Sequence, residues 1–444
     1  MSGVAAADLA WGASPLARAA KGDPPKADFT LRIAPIRLEL APGKIIETVG
    51  YNGTAPGPLL RMREGKRVTV EVHNATDVDE LVHWHGQFIP SDVDGAEEEG
   101  TPFVPAGGRQ TYTFTPRPAG SRWYHTHAMA GPHLDQGQYT GQFGFLYVEP
   151  KSEPGNYDQE IFLAARHWGP SLAHMGPPDN GWEIAYSACS INDKALGAGE
   201  PIFVQQGQRV LFRLLNASAT EDVWLALPGH KFKIIALDGN PVPTPQTVDV
   251  VPLGVAERVD AIVEMNNPGV WVLGSVSDDE RAKGMGIVVE YAGQSGEAKW
   301  VPTRRVPFDY TIFGSQEKAA EPDERVELTF EKIPGKRVTF NRWTINGKSW
   351  PDADPILVKR GKRYRLIFHN KNGDSHPLHL HRHSFEITNF AGKSTSGVMK
   401  DIVDVPRFSD AEVDFVADNP GLSLFHCHML LHMDFGFKTL VKYV

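Results

Sequence analysis

The sequence repeats itself, and that repeat limits the folds open to it more than any other feature. An apolar strand opening, a Gly-x-Arg turn and an alternating strand ending in asparagine occur three times. They are Pro58–Asn74 around Gly65-Lys66-Arg67, Pro201–Asn216 around Gly207-Gln208-Arg209, and Pro355–Asn370 around Gly361-Lys362-Arg363. The turn glycines are 142 and 154 residues apart. A second block closes each unit, at Gly120, Gly269 and Gly421, with spacings of 149 and 152. Short alternating runs such as Val68–Val72 and Thr111–Phe114 lie between these anchors, bounded by Gly, Pro, Asn and Asp. Period-two alternation at this spacing predicts β-sandwiches, and helical periodicity is scarce. The predicted fold is all-β, with three sandwich domains at 27–150, 157–293 and 305–444.

The histidines occupy fixed places in the repeat. Sixteen and eighteen residues after Arg67 come His83 and His85, and the same steps from Arg363 reach His379 and His381. Five and seven residues after Gly120 come His125 and His127, and after Gly421 come His426 and His428. The middle unit has Leu225, Leu227, Gly274 and Val276 at these places. Alternate residues of a strand share a face, so each pair can present two imidazoles to one cavity. Two facing outer domains would gather eight. Neutral imidazole suits copper, zinc, iron and nickel.

The third unit adds another donor set. His376 lies three residues before His379, Cys427 lies between His426 and His428, and His432 follows four residues later. Alternation turns Cys427 away from its neighbours, so it can join His376 and His432 in a separate site. Two histidines and a cysteine are the donors of a blue-copper electron-transfer centre. The matching residues of the first unit are Glu80, Thr126 and Gly131, which predict no such site there.

With these motifs the chain resembles the multicopper oxidases, of three-domain laccase type, over its folded length. The motifs are His83-Trp84-His85-Gly86, Trp123-Tyr124-His125-Thr126-His127, His376-Pro377-Leu378-His379-Leu380-His381, and His426-Cys427-His428 through His432. The resemblance implies cupredoxin-like Greek-key domains and four copper ions: one type 1, one type 2 and a type-3 pair. It makes His376, Cys427 and His432 the type-1 ligands and His83 and His379 the type-2 ligands. His85, His125, His127, His381, His426 and His428 become the type-3 ligands. It also implies one-electron oxidation of phenols or aromatic amines at Cys427, coupled to reduction of dioxygen to water. A metal oxidase acting on Cu(I) or Fe(II) is the alternative, although the nine methionines are scattered. A non-catalytic copper protein and a copper nitrite reductase fit less well. No ligand is lost, and there are three repeats.

Two positions matter beyond the ligands. The family's axial type-1 position, ten residues after the cysteine, is Phe437, which cannot ligate. Asp94 matches a family position credited with proton relay. The position after His432, glutamate in some bacterial relatives, is Met433. Glu97-Glu98-Glu99 reads as a solvated loop, and Cys189 as a buried free thiol.

Composition sets limits on partners. The 444 residues are 41% hydrophobic and 22% charged, with a net charge of −9. That balance argues against nucleic acid, and no run of about 18 apolar residues suggests a spanning helix. Residues 1–26 read as a tail or an export-signal remnant, with Ala17-Arg18-Ala19 resembling a cleavage site. The remnant reading implies a secreted or periplasmic protein. Three repeats suffice to bring the outer domains together, so a monomer is expected.

Overall fold

The computed structural model describes residues 26–152, 155–174, 180–315, 317–336 and 339–444. The tail or export-signal reading of residues 1–26 therefore falls almost wholly outside the described residues. The repeated block folds alike three times. A short strand (Leu60–Arg63, Ile202–Val204 or Ile356–Val358) leads through a turn into a long one (Val68–Asn74, Arg209–Asn216 or Arg363–Asn370). Gly65, Gly207 and Gly361 each turn with φ between +77° and +83°, a region open to glycine at little cost. In Arg363–Asn370 every second residue is buried, as the alternation predicted.

The terminal asparagines have a job in common. Asn74 Nδ2 donates to the carbonyls of Val78 and Val104, Asn216 Nδ2 to those of Glu221 and Leu253, and Asn370 Nδ2 to those of Asp374 and Pro406. Each asparagine thus ties down the loop that follows it. In the outer units that loop leads into a histidine strand.

The strands form six sheets among the described residues, two in each third of the chain. The middle third orders its larger sheet as Glu183–Ile191, Gln159–Ala173, Arg209–Asn216, Arg258–Glu264, Phe232–Leu237, Asn240–Val248. The last third repeats that order strand for strand, from Arg342–Ile345 to Lys393–Lys400. The first third has two four-stranded sheets. Its core draws Leu31, Val70 and Tyr112 from one sheet and Leu60, Val82 and Leu146 from the other. That shared interior makes the pair a sandwich. A further apolar cluster joins Leu38 and Trp123 of the first unit to Trp168 and Leu215 of the second and Ile402 of the third. It holds the three sandwiches together where the histidine strands meet.

Candidate metal centres

Four strands carry seven of the predicted donors: Val82–His85, Gly120–Thr126, His376–Leu380 and Leu422–Cys427; His127, His381 and His428 come directly after their strand ends, and His432 sits in the short helix Leu430–Asp434. The first two strands pair antiparallel with His83 opposite His125, and the last two with His379 opposite His426. Each sheet therefore brings its two His-x-His pairs side by side. The sheets then meet across the interface of the outer units. His83 stacks on His381 and His85 on His379, each with ring centroids 3.9 Å apart. All eight rings are at most 3% exposed. Donor sets lying within 4.8 Å of one another include His83–His85–His125, His83–His379–His381 and His127–His381–His426.

Tautomers follow from the partners. A carbonyl or carboxylate oxygen accepts, so the ring nitrogen beside it carries the proton and the other presents a lone pair. His83 Nδ1 donates to the Asp94 carbonyl (2.9 Å) and His379 Nδ1 to the Asp401 carbonyl (2.7 Å). His125 Nδ1 donates to Thr126 O and His426 Nδ1 to Cys427 O. His381 Nδ1 donates to Asp94 Oδ2 (2.8 Å). His85 is reversed: its Nε2 donates to Asp401 Oδ1 (3.1 Å), leaving Nδ1 to face inward. The Nε2 atoms of His83, His127 and His379 and both ring nitrogens of His428 are buried without a hydrogen-bond partner. Buried polar atoms are rarely left so. Buried ring nitrogens brought within 4.8 Å of one another fit a cluster of soft-to-borderline metal ions.

Burial holds most of these imidazoles neutral. It pushes His85, His125, His127, His379, His426 and His428 well below the ordinary histidine range, and neighbouring imidazoles add to the effect. Burial and His83 lower His381 to about 4, although Asp94 opposes them. Neutral imidazole is the form a metal needs.

Two aspartates bracket the cluster in a crossed pattern. Asp94 gives its carbonyl to His83 of its own unit and its carboxylate to His381 of the other. Asp401 gives its carbonyl to His379 of its own unit and its carboxylate to His85 of the other. Burial alone would raise the Asp94 carboxyl, but His83 and His381 together hold it below the usual range. Asp401 is itself gripped by Arg122 Nη1 (3.1 Å) and by Arg258 Nη1 and Nη2 (2.8 and 2.6 Å). Arg258 belongs to the middle unit, which offers no imidazole at the repeat positions. Leu225 and Leu227 are buried there instead.

Sequence reasoning missed Asp401 and Arg258. The repeat offers no signal for them, because Asp94 lies 27 residues after its arginine and Asp401 lies 38 after its own. The solvated-loop reading holds for Glu97, which is exposed, and is corrected for Glu98 and Glu99. Glu98 pairs with the buried Lys438, and Glu99 is only 4% exposed. Burial, then Asp94, raises the Glu99 carboxyl well above its ordinary value. A short 3-10 turn at Glu97–Glu99 buries Glu99 and leaves Glu97 exposed.

The second donor set lies on the other side of the Leu422–Cys427 strand. Cys427 Sγ is 3.6 Å from His376 Nδ1 and 3.4 Å from His432 Nδ1. His376 Nε2 donates to Asn372 Oδ1 (3.0 Å), so its Nδ1 faces the sulfur as a lone pair. Burial pushes the Cys427 thiol up and His432 down to about 4. The Phe437 ring lies 4.7 Å from that of His376. In the first unit Glu80 instead accepts from Thr126 and Gln142, both at 2.9 Å, and fills the matching place. Cys189 is a free, buried cysteine, as expected.

The fold, the eight converging imidazoles and the adjoining set of one cysteine and two histidines fit an oxidase that works with a group of copper ions. Three family profiles, each described as multicopper oxidase, match residues 34–153, 180–291 and 321–443. The chain belongs to the multicopper oxidase family, and is a laccase-like, copper-dependent oxidoreductase that uses dioxygen. It is 29% identical to the multicopper oxidase MmcO of Mycobacterium tuberculosis, over 94% of this chain and 86% of that one. It is 25% identical to Laccase-1 of Botryotinia fuckeliana, over 93% and 81%. Among solved structures, a multi-copper oxidase from Pseudomonas thermotolerans has a TM-score of 0.74 and 28% identity, covering 94% of this chain and all of that one. The metallo-oxidase from Campylobacter jejuni shares the fold, with a TM-score of 0.71 at 20% identity over 95% and 93% of the two chains.

Proposed function

We propose that the chain holds four copper ions and oxidises small phenols or aromatic amines, one electron at a time, while reducing dioxygen to water. The observation that carries this reading is the convergence of eight buried imidazoles from two units beside the Cys427 set. His376, Cys427 and His432 hold the type-1 ion. His83 and His379, matched in tautomer and in their carbonyl partners, hold the type-2 ion. His85, His125, His127, His381, His426 and His428 hold the type-3 pair, with His85 binding through Nδ1. Bound copper supplies the one-electron couples of the reaction. The folded units are assigned to 27–150, 157–293 and 305–444.

The chain's own atoms do the rest. Cys427 joins the two centres through its peptide bonds to His426 and His428. Forming water consumes protons, and Asp94, an ionised acceptor with Oδ2 on His381 and Oδ1 buried without a partner, is placed to take up a proton and pass it on. A cavity of about 200 Å3 opens against His432, which we assign as a ligand of the same ion as Cys427, the point of electron entry. Glu183, Glu221, Asp374 and Met429 also line it. Burial raises Glu221 to about 7, so it can accept the proton that a phenol or arylamine loses on oxidation. The same acids and thioether favour a second reading, oxidation of Cu(I) or Fe(II). Among the described residues no helix is long and apolar enough to cross a membrane, and we assign a secreted or periplasmic monomer.

A visible and EPR spectrum of copper-loaded protein tests the centres. An intense thiolate-to-copper band with four coppers per chain is expected, and its absence rejects the type-1 assignment. Oxygen uptake on a phenolic dye compared with Cu(I) separates the two substrate readings.

A further inference from the structure

The strand that carries His426 and Cys427 has an unmet need where it leaves the ladder. The His381 N–H donates to the Leu424 carbonyl (2.9 Å), and the chain then turns away at Arg382 with φ +63°. The Leu424 N–H points to the same side and finds no backbone acceptor there. It donates instead to Glu99 Oε1 of the first unit, at 2.6 Å. The same oxygen lies 3.3 Å from His381 Nδ1. One carboxyl thus spans the two ligand strands of the third unit. Gly95 lets the turn that carries it sit close to its own histidine strand, since a Cβ there would meet Val82 O at 2.0 Å. Glu98 adds a second anchor on Lys438, the residue opposite His426 in the neighbouring strand.

We propose that Glu99 is a positioning residue, which holds the third unit's two ligand strands in register against the first unit through its reach rather than its charge. The inference rests on the copper cluster proposed above. Side-chain length matters because a single oxygen must serve both strands. A glutamine amide keeps that reach and an acceptor for Leu424. An aspartate keeps the carboxylate but is one methylene shorter.

The test compares Glu99→Gln and Glu99→Asp in the full chain. Hydrogen exchange at the Leu424 amide is measured before and after copper loading, together with copper per chain and the thiolate-to-copper band. Glu99→Gln is expected to keep Leu424 protected and the copper complement intact. Glu99→Asp is expected to speed Leu424 exchange about tenfold or more and to lose cluster copper while keeping the blue band. Wild-type behaviour of Glu99→Asp overturns the proposal. So does loss of protection in Glu99→Gln. If the aspartate variant does not fold, protection in the glutamine variant decides. If the wild type itself takes up no cluster copper, the copper reading fails, and Leu424 exchange in the metal-free chain still decides this inference.

Discussion

Single atoms set the chemistry of both centres. Phe437 offers a ring where the family places an axial donor, 4.7 Å from His376 and 4.8 Å from Phe330. Axial donation tunes the potential of such sites, so Phe437→Met should lower the type-1 potential in a redox titration. An unchanged value rejects the role. Asp94→Asn keeps an oxygen for His381 but cannot carry a proton. It should slow oxygen turnover roughly 100-fold, the usual scale of general acid catalysis, with copper content unchanged. Full activity would remove Asp94 from the proton path. Asp94 and every proposed ligand were legible in the sequence, because they sit in short motifs. Glu99, Asp401 and Arg258 were not. Each acts on a residue 143 to 325 positions away, and nothing local marks such a contact.

Strands and turns decide which face the donors occupy. The alternation of His426, Cys427 and His428 was readable from period two alone, and it places the thiol on the side of His376 and His432. What the alternation leaves open is how the two sheets lie against each other, because stacking such as His83 on His381 depends on packing between units. The closing glycines fix part of that packing. Gly120 has φ +115°, and a Cβ there would meet Gly239 O of the middle unit at 2.0 Å. Gly120→Ala should therefore cost about 1–3 kcal/mol in backbone strain alone, and more from the clash. Chemical denaturation checks this, and a stability equal to wild type would show that the turn relaxes freely.

For the molecule as a whole, gathering so many neutral imidazoles ties stability to pH. Burial holds His381 and His432 at about 4, against 6.5 for an exposed histidine. The folded chain then binds fewer protons than the unfolded chain between those values, so stability rises with pH across that window. It is fully present above about 6.5 and falls away as the pH drops toward 4. Each such group contributes about 3 kcal/mol to the change. The melting temperature of the metal-free protein should fall steeply below pH 6.5, and a flat profile would contradict neutral burial. Bound metal should be released over the same acid range. The grip of Arg258 on Asp401 has a consequence for any attempt to simplify this architecture. A shortened chain that fused the first and third sandwiches directly would keep all eleven donor side chains. It would keep Arg122 but lose Arg258, which gives the carboxylate under His85 two of its three guanidinium hydrogen bonds. The ligand-free sandwich is thus the keystone of an arch, and removing it should let the two sides of the vault slip even though every stone that touches copper is still present.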